Sequence, residues 1–177
     1  PFFNQLISSQ LDMDRLDYLA RDSFYSGVTE GKVGSERIIK MLNVVDGQLC
    51  IEEKAIYSIE KFIVARRLMY WQVYLHRTVL SAEHMLMLVL NRAKHLVREG
   101  ATVFASPALS MFLHDDLDRA KFLADPEVLE RFCDLDDSDI FVAMKSWRHH
   151  EDRVLALLSQ RLLDRGLFRI ELRPEPF

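Results

Sequence analysis

The spacing of apolar and polar positions is helical along most of the chain. Ser8 and Ser9 stand where an N-cap is wanted, a helix is predicted from about 11 to 25, and Gly27 follows where a left-handed residue ends it. The segment GVTEGKVG holds three of the six glycines, follows a helix and lacks any phosphate-loop pattern, so it reads as a tight connection. Ser35 then caps a short helix, SERIIKML. In NVVDGQLCIE, Asp46-Gly47 separates two short β-prone runs and predicts a hairpin at about 43–51. Two long helices are expected next, about 53–75 and 77–99, with Ile56, Ile59 and Ile63 periodic in the first and Val79, Met85 to Val89 and Leu96 in the second. At about 1.5 Å per residue each spans roughly 30 Å, enough to form the backbone of a domain.

Further helices are expected to open at Pro107, in DPEVLERF, in DDSDIFVAMKSW with a cap at Asp137 or Ser138, and in EDRVLALLSQRLLDR, ended by Gly166. LFRIEL, about 167–172, reads as a terminal strand with no visible partner. The expected class is therefore mainly α, with one small hairpin and that strand.

Composition narrows the picture. With 177 residues, 49% hydrophobic and 28% charged, and with 11 Phe, 5 Tyr and 2 Trp, the chain is an ordered, compact body rather than a disordered one. Its longest apolar run, Met85 to Leu90, is far shorter than the roughly 18 residues of a membrane span, so a soluble, cytoplasmic protein without a membrane partner is expected. Cys50 and Cys133 are far apart and belong to no CxxC, which indicates neither a disulfide framework nor a thiolate zinc site. The chain opens on Pro1 rather than Met and closes on a partnerless strand, and is expected to be a piece of a larger protein.

Charge is uneven. Between Lys61 and Arg98 stand seven Lys/Arg and one acid, Glu83, whereas Asp115 to Asp139 holds ten acids and three bases. The basic stretch suits phosphates on a ligand or nucleic acid; the plainer reading is a solvated helix face countered by the acidic stretch.

Two constellations carry candidate chemistry. In LDMDRLDYLARD, Asp14, Tyr18 and Asp22 are four residues apart and share one helical face, with Arg15 beside them and Leu16, Leu19 and Ala20 turned elsewhere. A carboxylate there can bind a metal, the guanidinium a phosphate, and the phenol with the second carboxylate a sugar or base edge. The competing reading is an ordinary Asp17–Arg21 pair on a solvated surface. In ARRLMYWQVYLHRT, Arg66, Tyr70, Tyr74 and Arg77 fall on one stripe with His76 adjacent, an arrangement that suits a nucleotide or, alternatively, core aromatics with arginines at the rim.

Together these segments, ISSQLDMDRLDYLARDSFYSGV and the Arg66 region through YLHRTV, resemble the HD-domain phosphohydrolases of the deoxynucleoside triphosphate triphosphohydrolase (dGTPase-like) group. The resemblance runs from about Asn4 to Arg98 and continues more loosely to the end. It implies a helical HD-type domain whose C-terminal half is residues 1–100, a packed helical extension over 101–166, and the start of a further region at 167–177. In that family a His, a His-Asp pair and a later Asp bind the catalytic divalent metal, whether Mn, Mg, Fe or Zn, and Asp14 matches the last of these. By the same resemblance Arg15 touches the triphosphate, Tyr18 lies under the sugar and Asp22 near its hydroxyl. Arg66 meets phosphate or sugar, Tyr74 lines the sugar pocket, and His76 with Arg77 matches the pair that follows it. The implied reaction is hydrolysis of a deoxynucleoside triphosphate to deoxynucleoside and triphosphate, in a protein that forms homo-oligomers.

Only thirteen residues precede Asp14 and none is His, so the family's other metal ligands are absent here and the piece is expected neither to retain the metal nor to act alone. His114-Asp115 follows Asp14 in the wrong order and context, His149-His150-Glu151-Asp152 lacks ligand spacing, and His84 and His95 lie within a helix. The alternative function is a non-catalytic helical module that uses the basic stretch for nucleic acid or for self-association, a less favoured reading.

Overall fold

The computed structural model describes residues 2–171. The chain divides between Val79 and Leu80 into two compact units. In the first, helix α1 (Phe2–Ile7) precedes α2 (Met13–Ser26), a 3₁₀ turn (Thr29–Gly31), α3 (Ser35–Lys40), strands β1 (Leu42–Val45) and β2 (Gln48–Ile51), a second 3₁₀ turn (Glu53–Ala55), α4 (Ile56–Met69) and a π-helical turn (Tyr70–Tyr74). Then come α5 (Arg77–Arg98), α6 (Pro107–His114), α7 (Arg119–Ala124), α8 (Pro126–Asp134), α9 (Asp137–Trp147) and α10 (Arg153–Leu163). The mainly α class with a small antiparallel hairpin holds. The described residues contain no helix long and apolar enough to cross a membrane.

The caps differ from expectation in instructive ways. α2 is capped by buried Asp12, whose carboxylate accepts from the Arg15 amide, and not by Ser8 or Ser9; Gly27 ends it in the left-handed region, φ 73°, as expected. Ser35 is the first residue of α3 rather than its cap, and its hydroxyl has no partner among the described residues. α9 is capped by Asp136, in a reciprocal capping box with Asp139, one residue before the expected cap. α10 ends at Leu163, and the left-handed residue that follows its cap is Arg165, φ 55°, and not Gly166.

The predicted hairpin forms, with Val44 opposite Leu49 and Asp46-Gly47 at the turn, both at positive φ. Two backbone amides on its strands find side-chain acceptors: Val44 N donates to Asn43 Oδ1 and Leu49 N to Gln5 Oε1. The strand expected at 167–172 is absent over its described part: residues 167–171 are not in strand conformation, and 172 lies outside the described residues. This segment is tied by other means, Ser81 Oγ donating to the Phe168 carbonyl at 2.6 Å and Arg161 covering the Phe168 ring. An extended sequence pattern specifies a strand only where a sheet edge accepts it, and α5 offers a hydroxyl instead.

The first core joins Leu16 and Leu19 of α2, Ile38 of α3, and Phe62 and Met69 of α4. The isoleucine periodicity of α4 finds the core only at Ile59, because Ile56 and Ile63 are exposed and Phe62, Ala65 and Met69 are buried. Gly31 lets α2 and α4 approach: a Cβ there would stand 2.7 Å from Met69 Sδ and 2.8 Å from Ser23 Cβ. That is the use of the glycine-rich connection. In the second unit, Val89, Ala93 and Leu96 of α5 pack with Leu109, Leu113, Met144, Leu155 and Trp147, which is 1% exposed and donates Nε1–H to the Phe104 carbonyl.

Candidate functional site

Helices α2 and α4 bring part of the predicted set together. Leu16 and Leu19 anchor one face of α2, which leaves Tyr18 and Asp22 at the edge of the core and Asp14 exposed. The end of α4 carries Arg66, and the π-helical turn that follows carries Tyr70 and Tyr74. The Tyr74 hydroxyl donates to Asp22 Oδ2 at 2.7 Å. Tyr74 also meets Tyr18 and Tyr70 edge to face, with ring centres 5.9 and 5.1 Å apart. Arg66 lies over the Tyr70 ring, 5.4 Å from its centre. A carboxylate, three phenols and a guanidinium therefore form one cluster, and aromatic edges fix the geometry of its polar groups.

Burial first, then the hydrogen bond and negative charge of Asp22, hold the Tyr74 phenol well above its ordinary pKa, so it stays protonated and donating. The hydroxyls of Tyr18 and then Tyr70 raise the Arg66 guanidinium above its ordinary value. Its Nε is buried and has no hydrogen-bond partner among the described residues.

The other predicted residues are placed differently. Arg15 is engaged by the Asp12 carboxylate and the Ser9 carbonyl, which ties it to the α2 cap. His76 Nδ1 accepts from the Thr78 amide, at the start of α5, and Arg77 is exposed. Among the described residues neither makes a hydrogen bond, ion pair or ring contact with Tyr18, Asp22, Arg66 or Tyr74. The π-helical turn and the break at Leu75 remove Arg77 from the stripe that regular helical spacing predicts. The Asp17–Arg21 pair of the competing reading is present on the outer face of α2.

The divalent metal implied by the resemblance does not fit these residues alone. Among the described residues no three or more His, Cys, Asp or Glu gather in a way that could hold a metal ion. Asp14 is a single exposed carboxylate.

The basic stretch divides in two. Lys94 and Arg98 both reach Asp116 of the acidic stretch, so the countered-charge reading holds for these two, and Arg92 is bound at 2.6 Å by Asp152, outside that stretch. Arg66 and Arg67 stack on aromatic rings instead, Arg67 lying 4.6 Å from the centre of Trp71. Both line a pocket of about 480 Å³ on α4, with Leu11, Ile59, Phe62 and Leu75 among its walls. Sequence reasoning placed Tyr70 in the stripe and Trp71 only among possible core aromatics, and passed over Asp12 and Arg67. The i, i+4 spacing of Arg67 and Trp71, the same as that of Arg66 and Tyr70, was the available signal.

Residues 33–126 match the family model described as "HD associated region", and the chain belongs to that family. A crystal structure titled as a phosphohydrolase from Bacteroides thetaiotaomicron superposes with a TM-score of 0.96 at 56% identity, covering 99% of this chain and 44% of that one. The protein YwfO of Bacillus subtilis (strain 168) is 37% identical over 170 residues, 96% of this chain and 37% of its own length. A Dictyostelium discoideum protein named a deoxynucleoside triphosphate triphosphohydrolase SAMHD1 homolog is 32% identical over 78 residues, 44% of this chain and 15% of its own length. The chain thus spans less than half the length of these relatives.

Proposed function

We propose that this chain is the nucleotide-contacting part of an HD-type phosphohydrolase that hydrolyses deoxynucleoside triphosphates to deoxynucleoside and triphosphate. The observation that carries this reading is the Tyr74–Asp22 hydrogen bond packed against Tyr18 beside Arg66, a donor–acceptor pair suited to a sugar next to a cation suited to a phosphate. The names of the Bacteroides and Dictyostelium relatives support it. In the reaction, water adds to the α-phosphorus, the bond to the sugar 5′ oxygen breaks, and that oxygen takes up the proton. Tyr74 and Asp22 orient the sugar, and Arg66 faces the charge that develops on phosphate. Asp14 would be one ligand of a divalent metal, which would supply Lewis-acid chemistry there, with its other ligands outside the described residues. The chain alone is therefore inactive.

The test is triphosphate release from deoxynucleoside triphosphates with Mn²⁺ or Mg²⁺, measured for this chain beside the Bacteroides thetaiotaomicron phosphohydrolase. Release by the longer protein only is expected. Equal turnover by the two would overturn the assignment of the missing ligands. A nucleic-acid module is disfavoured, because Arg92, Lys94 and Arg98 are already engaged by the two carboxylates Asp152 and Asp116.

A further inference from the structure

Arg67 and Trp71 belong to none of the roles above, yet they stand beside the cluster on the same helix end. The pairs Arg66–Tyr70 and Arg67–Trp71 are each four residues apart and offset by one, so two guanidiniums line one pocket, each stacked on a ring. The pocket has no acidic residue in its lining, and neither arginine is ion-paired among the described residues. The Arg66 Nε is buried there without a partner. Arg67 itself is exposed and Trp71 is 59% exposed, so neither serves the core. Two uncompensated cations in an apolar-walled pocket of about 480 Å³ raise the local positive potential, and the apolar walls strengthen any charge-assisted hydrogen bond made inside. Guanidinium is weakly hydrated and presents a planar fork, which suits it to phosphate oxygens in such surroundings.

We propose that this pocket is a polyphosphate subsite in which Arg67 is the second phosphate-binding guanidinium beside Arg66, with Trp71 the positioning residue that holds Arg67 over the pocket. The proposal rests on the nucleotide reading of the Tyr18–Asp22–Tyr74 cluster: the sugar lies on that cluster and the phosphate tail extends past Arg66 to Arg67.

The test is calorimetric titration of the chain with sodium tripolyphosphate, with dATP and with deoxyadenosine, for the wild type, Arg67→Ala, Arg67→Lys, Trp71→Leu and the control Lys61→Ala. Arg67→Ala is expected to weaken tripolyphosphate and dATP by about tenfold or more, the scale of one charged hydrogen bond, and to leave deoxyadenosine unchanged. Arg67→Lys restores part of the loss, Trp71→Leu reproduces part of it, and Lys61→Ala has no effect. Tripolyphosphate that binds the wild type and is lost in Arg67→Ala, with no binding of dATP beyond its phosphate tail, upholds the subsite and defeats the nucleotide reading. Absence of tripolyphosphate binding to the wild type, or equal affinity in Arg67→Ala, overturns the subsite. Circular dichroism verifies that each variant is folded, and the exposure of both side chains makes loss of fold an unexpected outcome.

Discussion

Along α5, beyond Leu80, three cations meet carboxylates: Arg92 is held by Asp152, which also caps α10, and Lys94 and Arg98 converge on Asp116. In the unit that ends at Val79, the cations at the end of α4 meet aromatic faces, while Asp22 accepts from a phenol. A guanidinium bound by a carboxylate has its charge and its donors satisfied. One stacked on a ring keeps its N–H edge available. The same residue types are therefore tied to carboxylates along α5 and stand on aromatic rings at the end of α4.

This contrast can be broken at its strongest point by Trp147→Ala. Removing the largest fully buried side chain and its hydrogen bond to Phe104 should cost about 3–5 kcal/mol, read from denaturant unfolding. A loss below about 1 kcal/mol would mean that the second unit does not depend on this core. Gly31→Ala comes next. Its Cβ would push on Ser23 and Met69, so destabilisation of about 1–3 kcal/mol is expected, together with weaker nucleotide binding as α2 and α4 are forced apart. Unchanged stability would show that the close approach is not required.

The smaller effect separates the two uses of charge. The Arg92 hydrogen bond pulls the Asp152 carboxyl down to about 2. A depressed pKa contributes stability that is complete above the ordinary carboxyl value of about 3.9 and is lost as pH falls from there towards about 2. Asp152→Asn keeps a capping side chain but should lower stability by about 1 kcal/mol at neutral pH and flatten the decline in that acid window. An identical acid profile in wild type and variant would remove the structural role given to this pair.

Much of the architecture was legible because local rules decide it. Gly27 and the Asp46-Gly47 turn follow from positive φ, and α5 buries Met85, Val89, Ala93 and Leu96 on one stripe. Tertiary context decided the rest. Isoleucine in α4 reads as core from its hydropathy, yet the face that meets α2 is set by Phe62 and Met69, with Gly31 admitting the contact. The shared α2 face that brings Tyr18 and Asp22 to Tyr74 was legible from spacing. The exclusion of Arg77 was not, because one π-helical turn shifts the register after Tyr70. Arg67 was hidden for a different reason: its i, i+4 spacing to Trp71 was the one signal, and it gains meaning only once the ring contact and the pocket are placed.

The central claim is that the Tyr18–Asp22–Tyr74 cluster holds a nucleotide. Its most direct test is titration of dATP into the wild-type chain and Tyr74→Ala, with both confirmed folded by circular dichroism. Loss of the ring contact and of the Asp22 hydrogen bond should weaken binding by about tenfold or more. Equal affinity in the two proteins would contradict the account.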